Sequence, residues 1–357
     1  MIRILIVEDS DVVSLLLKAI FESEPDMQVI GRAKDGGEAV QLTHELKPDL
    51  VTMDIRMPVM DGFQATHLIM STNAVPIVVI SSGVDDEELS ITFRAIEEGA
   101  LAVLEKPTGL NCVGFEAMRK EMIDTVRSMA EVKVVRRYGQ NESIIFEAAV
   151  QQRIKTHEII AIGCSAGGPQ ALLTILTKLP ADFPVPIVVT QHISKGFIGG
   201  LVAWLQKNTV LPVVLAEDNQ KLRPGVIYFA PDNFHLLVER NHEGLIAKLS
   251  NAPEVNNFRP SATPLFKSVA EICKHRSIGI LLTGMGSDGA EGLLAMRQMG
   301  SHTIVQDEAS AVVYGMPGSA IALNAVDQVV QLQNMASYLV SLTKNTAADQ
   351  YHFAGER

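Results

Sequence analysis

The strongest constraint on the fold is an alternation of short apolar runs with amphipathic stretches, which occurs twice along the 357 residues. In the first third, each apolar run is followed by apolar side chains at helical spacing, as at Val12, Leu16 and Ala19. Repeated strand–helix pairs require right-handed crossovers, so they predict a parallel sheet covered by helices. The predicted strands are 2–7, 27–31, 50–53, 77–80 and 101–104, and the last helix of this region covers about 115–130.

The same alternation resumes at about residue 158, after a stretch without a clear period. Here we predict strands at 159–162, 187–190, 213–215, 226–229, 236–238 and 278–283, with helices at 170–178, 199–208 and 289–299. The sequence therefore predicts two α/β domains, of which the second is doubly wound and mostly parallel. The predicted boundaries are 1–125 for the first domain, 126–156 for a linker, 157–342 for the second domain and 343–357 for a polar tail.

Composition narrows the class of protein. With 47% hydrophobic and 20% charged residues, the chain is typical of soluble domains with real cores. Residues 1–124 hold 22 acidic and 10 basic side chains, and the rest is nearly neutral, which disfavours a nucleic-acid-binding output domain. The three cysteines, Cys112, Cys164 and Cys273, form no CxxC pair. We expect free thiols in a reducing compartment, and a cytoplasmic protein without signal peptide or membrane span.

Charged residues follow three predicted strands of the first domain. Glu8 and Asp9 come after the first strand, Asp54 after the third and Lys106 after the fifth. Ligands of parallel sheets bind at the carboxyl ends of the strands, so these groups are expected to share a crevice. Converging carboxylates repel one another unless a cation neutralises them, and such oxygen ligands suit Mg²⁺. A carboxylate beside Mg²⁺ and lysine can accept a phosphoryl group, whereas the alternative is that these acids are merely solvated.

Four segments carry a resemblance to a known domain: VEDS at 7–10, MDIRMPVMDG at 53–62, SS at 81–82 and EKP at 105–107. Over about residues 1–125 the chain resembles a response-regulator receiver domain, which implies a flavodoxin-like (βα)5 fold and a histidine kinase as phosphodonor. The resemblance implies phosphorylation of Asp54, and phosphoryl sensing by Ser81 and Lys106. The implied Mg²⁺ ligands are Glu8, Asp9, Asp54 and the backbone carbonyl of Arg56. Val103 stands where the family often has an aromatic switch residue, a departure that argues against signalling by an aromatic flip.

A second set of strand ends lies in the C-terminal half. Ser165 occupies a Gly163–Gly168 turn between a predicted strand and a predicted helix, where small residues permit a sharp turn with an exposed nucleophile. His192 closes the next strand 27 residues later, and Asp288 follows the strand that ends at Thr283. A nucleophile, a base and an orienting acid can therefore meet on one rim of the sheet.

Each of these residues has a structural alternative. Ser165 and Asp288 could be helix N-caps, and His192 could be an ordinary loop histidine. Cys164 is a rival nucleophile, although its place at the strand end favours a side chain that points into the core. The order Ser–His–Asp differs from the Ser–Asp–His order of α/β-hydrolases, which disfavours a lipase-type enzyme.

The second half resembles the catalytic domain of the chemotaxis protein-glutamate methylesterase (CheB) family. The segments that carry this resemblance are IAIGCSAGGPQAL at 160–172, VVTQHISKGF at 188–197, RPSATPLF at 259–266, LLTGMGSDGAEGL at 281–293 and QDEASAVVYGMP at 306–317. In that family, Ser165, His192 and Asp288 match the triad, and the amides of Ala166 and Met285 match the oxyanion hole. Departures from the family pattern fall at Ala166, Phe258, Thr263 and Gly318.

The resemblance implies hydrolysis of glutamate methyl esters and deamidation of glutamines on chemoreceptor helices, with no cofactor for the esterase reaction. It also implies sensory adaptation in a two-component system, at the periphery of membrane-bound receptor arrays. A phosphorylation-gated binding module without chemistry remains the alternative of a different class. The sequence leaves open which receptors and which kinase the protein serves.

Overall fold

The structure is a computed structural model that describes residues 1–82, 86–107, 109, 115–132 and 157–343. Cys112, most of the predicted linker and all but the first residue of the predicted tail lie outside these residues. Within them, the chain forms two parallel sheets flanked by helices and one separate antiparallel hairpin. The predicted fold class, two α/β domains with mostly parallel sheets, is confirmed.

The N-terminal domain is a five-stranded parallel sheet in the order β2-β1-β3-β4-β5. Its strands are β1 (Ile2–Val7), β2 (Met27–Ala33), β3 (Leu50–Met53), β4 (Ile77–Ser81) and β5 (Ala102–Glu105), and its helices are α1 (Asp11–Glu22), α2 (Gly36–Leu46), α3 (Gly62–Thr72), α4 (Asp86–Glu97) and α5 (Phe115–Ala130). The strands β3 and β4 are buried along their whole length, which explains why their sequences are mostly apolar and do not alternate with polar residues. Because β1 and β3 are neighbours in this order, the residues that follow them meet at one edge of the sheet.

The C-terminal domain is a seven-stranded sheet in the order β14-β13-β12-β6-β7-β9-β8, with parallel pairing throughout. Its strands are β6 (Ile159–Cys164), β7 (Ile187–Gln191), β8 (Val213–Leu215), β9 (Ile227–Phe229), β12 (Ser277–Leu281), β13 (His302–Gln306) and β14 (Gln328–Val330). The hairpin consists of β10 (His235–Asn241) and β11 (Gly244–Ser250). The helices are α6 (Gly168–Leu176), α7 (Ile198–Asn208), α8 (Ala262–Cys273), α9 (Ala290–Gln298), α10 (Gly315–Ala322) and α11 (Leu332–Thr343).

Sequence periodicity missed several of these elements. The predicted strand at 236–238 is part of the antiparallel hairpin β10–β11 and does not join the parallel sheet. The helices α8, α10 and α11 and the strands β11, β13 and β14 were not predicted. One domain boundary also needs correction: residue 125 was predicted to end the first domain, but α5 continues to Ala130, with Val126 and Met129 fully buried in the same core.

The two domains pack against each other through α4 and α7. The rings of Phe93 and Trp204 stack with their centroids 5.6 Å apart, and the Trp204 indole donates a 2.7 Å hydrogen bond to Glu97 Oε1. A Cβ atom at Gly200 would lie 2.9 Å from the Leu89 Cβ, so glycine permits the close approach of the two helices. The interface therefore combines aromatic packing with a polar bond at its rim. Within the described residues, none of the helices has the length and apolar content needed to cross a membrane.

Candidate active site

The sheet register places Ser165 and His192 side by side. β6 is the central strand of the seven-stranded sheet, and Cys164 at its end is paired with Gln191 at the end of β7. Ser165 and His192 are the next residues of these two strands, and neighbouring strands lie about 4.8 Å apart. The prediction that one βαβ unit brings the two residues to the same edge is therefore confirmed at the level of the backbone.

The turn that carries Ser165 depends on two glycines. Gly167 has a positive φ of 75°, which is strained for residues with a side chain. A Cβ atom on Gly284, in the loop after β12, would lie only 2.8 Å from the Ser165 Cβ. The Ser165 amide donates to the Thr283 carbonyl at 3.0 Å, which ties this turn to the end of β12. The close approach at Gly284 and this hydrogen bond thus hold the segments after β6 and β12 together.

The side chains of His192 and Asp288 are bonded to each other. The His192 Nε2 lies 2.9 Å from Asp288 Oδ2, and the two side chains are only 5% and 0% exposed. A carboxylate can only accept, so Nε2 carries the hydrogen and the lone pair of the neutral ring is on Nδ1. Nδ1 is buried and has no hydrogen-bond partner among the described residues. The imidazole is therefore oriented at one nitrogen and free to accept a proton at the other.

Asp288 receives a dense set of hydrogen bonds from the start of α8. The donors are the Ser261 hydroxyl (2.6 Å), the Ala262 amide (2.7 Å) and the Thr263 hydroxyl (2.8 Å). Burial favours the neutral acid, but the bonds from His192, Ser261 and Ala262 outweigh it and hold the pKa of Asp288 far below its usual range. The positive end of the α8 dipole acts in the same direction. These hydrogen bonds thus favour the ionised form of Asp288.

This placement excludes one alternative. Gly289 is the N-cap of α9, and that cap has no side-chain hydrogen bond, so Asp288 does not cap the helix that follows it. Cys164 also has another role: it is fully buried, its Sγ donates to Gln191 Oε1 at 3.0 Å, and burial raises the pKa of its thiol. A buried neutral thiol is a poor nucleophile.

Two backbone amides are available beside Ser165. Neither the Ala166 nor the Met285 amide donates a hydrogen bond within the part of the chain that the structure describes. The Ser165 carbonyl, in the same peptide unit as the Ala166 amide, accepts from the Gln191 side chain at 2.8 Å and from the Gly168 amide at 2.8 Å, which orients that peptide plane. Uncommitted amides next to a nucleophile are suited to stabilise an oxyanion.

The acidic residues of the N-terminal domain also converge. Oxygen atoms of Glu8, Asp9 and Asp54 lie within 4.8 Å of one another. The Lys106 ammonium lies 2.8 Å from Asp54 and 3.2 Å from Glu8. Burial raises the pKa of Glu8, with the Asp54 charge adding to it, and burial raises the pKa of Asp54 more than Lys106 lowers it. The single positive charge of Lys106 therefore does not neutralise the negative charge of the three carboxylates.

This donor set fits Mg²⁺. Three carboxylates with oxygens within 4.8 Å of one another, two of them buried, leave negative charge that a small divalent cation can balance with oxygen ligands. The Arg56 amide donates to Asp54 Oδ1 at 3.3 Å, so the backbone at Arg56 reaches the same crevice. Ser81 is fully buried, and its carbonyl accepts from the Lys106 amide at 2.9 Å. The structure thus brings together the residues predicted for metal binding and phosphoryl transfer.

Several residues around the triad were missed or undervalued by sequence reasoning. Asn256 and Ser261 were not considered, and Phe258 and Thr263 were noted only as departures from a family pattern. A signal for Ser261 does exist, because Ser-Ala-Thr-Pro before an apolar run is typical of a helix start. Of the other departures, Val103 is buried in the receiver core, and Gly318 lies in α10 next to the Tyr314 ring.

Comparison with known proteins agrees with both halves of this description. Residues 160–339 match the CheB methylesterase family, and residues 4–113 match the response regulator receiver domain. A protein-glutamate methylesterase/protein-glutamine glutaminase of Geobacter metallireducens is 44% identical over 348 residues, which cover 96% of this chain and 99% of the relative. A protein of the same designation from Methanospirillum hungatei is 44% identical over 350 residues, with the same coverage.

A solved structure matches the C-terminal half. The CheB methylesterase catalytic domain of Thermotoga maritima is 36% identical, with a TM-score of 0.51, and covers 52% of this chain and 99% of that domain. The resemblance predicted from sequence motifs is confirmed by these matches. The chain belongs to the CheB methylesterase family and carries a response-regulator receiver domain in front of the catalytic domain.

Proposed function

We propose that this protein is a phosphorylation-regulated serine hydrolase that demethylates glutamate methyl esters, and deamidates glutamines, on the cytoplasmic helices of chemoreceptors. The observation that carries the proposal is the imidazole of His192, which is bonded through Nε2 to the buried anion Asp288 and keeps Nδ1 unpaired at the strand end next to Ser165. A binding module has no need for a buried imidazole–carboxylate pair beside a half-buried serine.

The first half-reaction follows from this arrangement. The Ser165 hydroxyl attacks the γ-carbonyl carbon of the ester while His192 Nδ1 takes its proton. Asp288 stabilises the imidazolium and keeps its orientation. The amides of Ala166 and Met285 are proposed to bind the oxyanion of the tetrahedral intermediate. Collapse of that intermediate breaks the bond to the methoxy oxygen, which leaves as methanol with the proton from His192.

The second half-reaction regenerates the serine. A water molecule gives a proton to His192 Nδ1 and attacks the glutamyl–serine ester, and the products are a glutamate side chain and free Ser165. For a glutamine substrate, the first leaving group is ammonia and the remaining steps are the same. These side chains move all the protons, so the proposed esterase reaction needs no cofactor.

The receiver is proposed to be the regulatory half. Asp54 would accept a phosphoryl group from a histidine kinase, with Lys106 and Ser81 near the phosphoryl oxygens. Glu8, Asp9, Asp54 and the Arg56 carbonyl would hold Mg²⁺, which when bound neutralises charge on the phosphoryl group. The pKa values of Glu8 and Asp54 are raised because Lys106 alone does not balance the negative charge of the buried carboxylates, and Mg²⁺ would supply the missing positive charge.

Contacts with the catalytic loops support control by docking. Three hydrogen bonds link the two domains there: Leu101 O with the Gly167 amide (3.2 Å), Glu121 Oε1 with the Ser194 hydroxyl (3.1 Å), and the Ser128 hydroxyl with Met285 Sδ (2.7 Å). Of these partners, Gly167 directly follows Ala166, and Met285 itself carries one of the proposed oxyanion amides. A receptor helix that must reach Ser165 competes with these contacts, so the docked receiver inhibits. Phosphorylation would favour the undocked state.

This function places the protein among chemosensory partners. Its substrates would be methyl-accepting chemoreceptors and its phosphodonor a histidine kinase of a two-component system. It would work in the cytoplasm, at the periphery of receptor arrays, without binding nucleic acid. These partners follow from family membership and the proposed chemistry.

Labelling with a serine-directed fluorophosphonate tests the proposed nucleophile and separates a hydrolase from a binding module. The wild-type protein should form one covalent adduct, and Ser165→Ala should form none, because the reagent needs an activated serine. Cys164→Ala is the matched control next in the chain and should still be labelled. Absence of a wild-type adduct, or labelling that survives in Ser165→Ala, would contradict the assignment.

A further inference from the structure

A tight turn before α8 contacts two members of the proposed triad. Val255 and Phe258 exchange two backbone hydrogen bonds, of 3.1 and 3.0 Å, across Asn256 and Asn257. Both asparagines have positive φ values, 54° and 66°, as a two-residue type I′ turn requires. Asparagine tolerates this conformation better than other residues with a side chain. The turn is therefore a locally determined unit.

The turn presents Phe258 to the catalytic imidazole. The rings of Phe258 and His192 are stacked with their centroids 3.8 Å apart and their planes 10° from parallel. From the other end of the turn, the Asn256 side chain donates to Asp288 Oδ1 at 3.2 Å. One short turn thus reaches the base and the orienting acid at once.

The stack supplies a restraint that Asp288 alone does not. A single hydrogen bond at Nε2 fixes the distance between His192 and Asp288 but leaves the ring free to tilt about that contact. A parallel aromatic face removes this freedom and fixes the direction of the Nδ1 lone pair. The face of a phenyl ring also attracts a cation, so it favours the imidazolium that forms during attack.

We propose that Phe258 is a positioning residue for His192, delivered by the Val255–Phe258 turn, and that it acts on the chemical step. This inference rests on the proposed triad of Ser165, His192 and Asp288. Since the ring contacts the base, its loss should lower kcat and leave KM nearly unchanged.

The test measures kcat and KM for methanol release from methylated receptor membranes, with the full-length protein and a phosphodonor. Phe258→Leu, which keeps apolar bulk but removes the flat ring, should lower kcat about 10-fold with KM within about twofold. Phe258→Tyr keeps the ring and should retain most of the wild-type kcat. Asn256→Gly permits the turn but removes the bond to Asp288, and should lower kcat about threefold.

Asn257→Gly is the matched control, because Asn257 occupies the same turn and its side chain makes no hydrogen bond within the described ranges. A Phe258→Leu enzyme with wild-type kcat, or one changed only in KM, would overturn the positioning role, as would equal losses in Phe258→Leu and Phe258→Tyr. If Phe258→Leu lacks a cooperative thermal transition, Phe258→Met, which is also apolar and has no flat ring, is measured in its place, and an unchanged kcat there overturns the proposal. Ser165→Ala is measured in parallel. Methanol release that does not depend on Ser165 would contradict the proposed function itself, whereas a failure of the Phe258 variants alone would contradict only the positioning role of Phe258.

Discussion

Asp54 and Asp288 lie at corresponding edges of two parallel sheets, and both are almost completely buried. Their pKa values are nevertheless shifted in opposite directions. Burial raises the pKa of Asp54 more than Lys106 and two backbone amides lower it. The same burial acts on Asp288, but there it is outweighed by donors from His192, Ser261 and the start of α8.

The difference shows that the supply of donors, and not burial, decides what a buried carboxylate can do. Asp288 is saturated with hydrogen bonds and suited to hold a charged imidazole without reacting. Asp54 is short of donors and lies in a cluster with Glu8 and Asp9, so it is suited to gain a cation and a phosphoryl group. In the proposed function, Asp288 is therefore the fixed electrostatic support of His192, and Asp54 is the phosphoryl acceptor.

Asp288→Asn should have the largest effect. An amide in this place can turn its NH2 towards His192 and favour the wrong tautomer, so kcat for methanol release should fall by about 10⁴-fold. Asp54→Asn serves as the paired control and should leave the rate of the unphosphorylated enzyme unchanged. Comparable losses of basal activity in both variants would mean that the two carboxylates do not have distinct roles.

Asp54→Asn should have the next largest effect, on regulation. Incubation with acetyl phosphate and Mg²⁺ should label the wild type with a base-labile phosphoryl group and stimulate it roughly 5–150-fold, the usual range of coupling between two sites. The variant should show neither response, whereas Asp124→Asn, a surface acid of α5, should show both. Persistent labelling of Asp54→Asn would identify another acid as the acceptor.

A fragment that begins near Thr156 sharpens this prediction. It lacks Leu101, Glu121 and Ser128, whose contacts hold the receiver against the catalytic loops. It should therefore demethylate receptors faster than the unphosphorylated full-length protein. A phosphodonor should reduce this difference in rate for the wild-type full-length protein but not for full-length Asp54→Asn. A folded fragment with no gain in rate would show that the receiver activates or targets the enzyme and does not inhibit it.

The smallest effects concern stability. Because the folded pKa of Asp288 is lowered, its contribution is present above the unfolded value of about 4 and is lost as the pH falls through the folded value. The folded pKa of Asp54 is raised, so the protonated acid favours the folded state at low pH. This stabilisation is lost as the pH rises through the folded value, and at pH 7 the ionised, buried Asp54 is a net cost to stability. At pH 7, Asp288→Asn should lower the free energy of unfolding by about 3 kcal/mol, and Asp54→Asn should raise it by about 1 kcal/mol.

Denaturant unfolding of both variants at pH 4 and pH 7 checks this prediction, with Mg²⁺ removed by a chelator. The two differences from wild type should have opposite signs at pH 7. At pH 4 the Asp54→Asn difference should shrink, whereas the Asp288→Asn difference should stay near its pH 7 value, because pH 4 is still well above the folded pKa of Asp288. Destabilisation of similar size in the two variants at pH 7 would contradict the pKa shifts.

Sequence reasoning found the residues whose positions follow from strand periodicity. Four of these residues directly follow strands: Glu8 and Asp54 in the first domain, and Ser165 and His192 in the second. A correct strand assignment was therefore enough to predict that the two residues of each pair are neighbours. The supporting donors were missed because they come from distant parts of the chain. Ser261 is 27 residues from Asp288, and its position depends on α8, which was not predicted.

The domain interface was out of reach for a related reason. Leu89 and Phe93 have the spacing of ordinary core residues of a receiver helix, and nothing in that pattern says that they also face α7. The specific contacts, such as that between Trp204 and Glu97, require the packed structure.

The measurement that tests the central claim most directly is methanol release from methylated chemoreceptor membranes by full-length protein, with and without phosphodonor. Wild type should release methanol slowly, and faster when phosphorylated, while Ser165→Ala should release none under either condition. Release by Ser165→Ala at a rate close to that of wild type would contradict the assignment of Ser165, His192 and Asp288 as the catalytic triad.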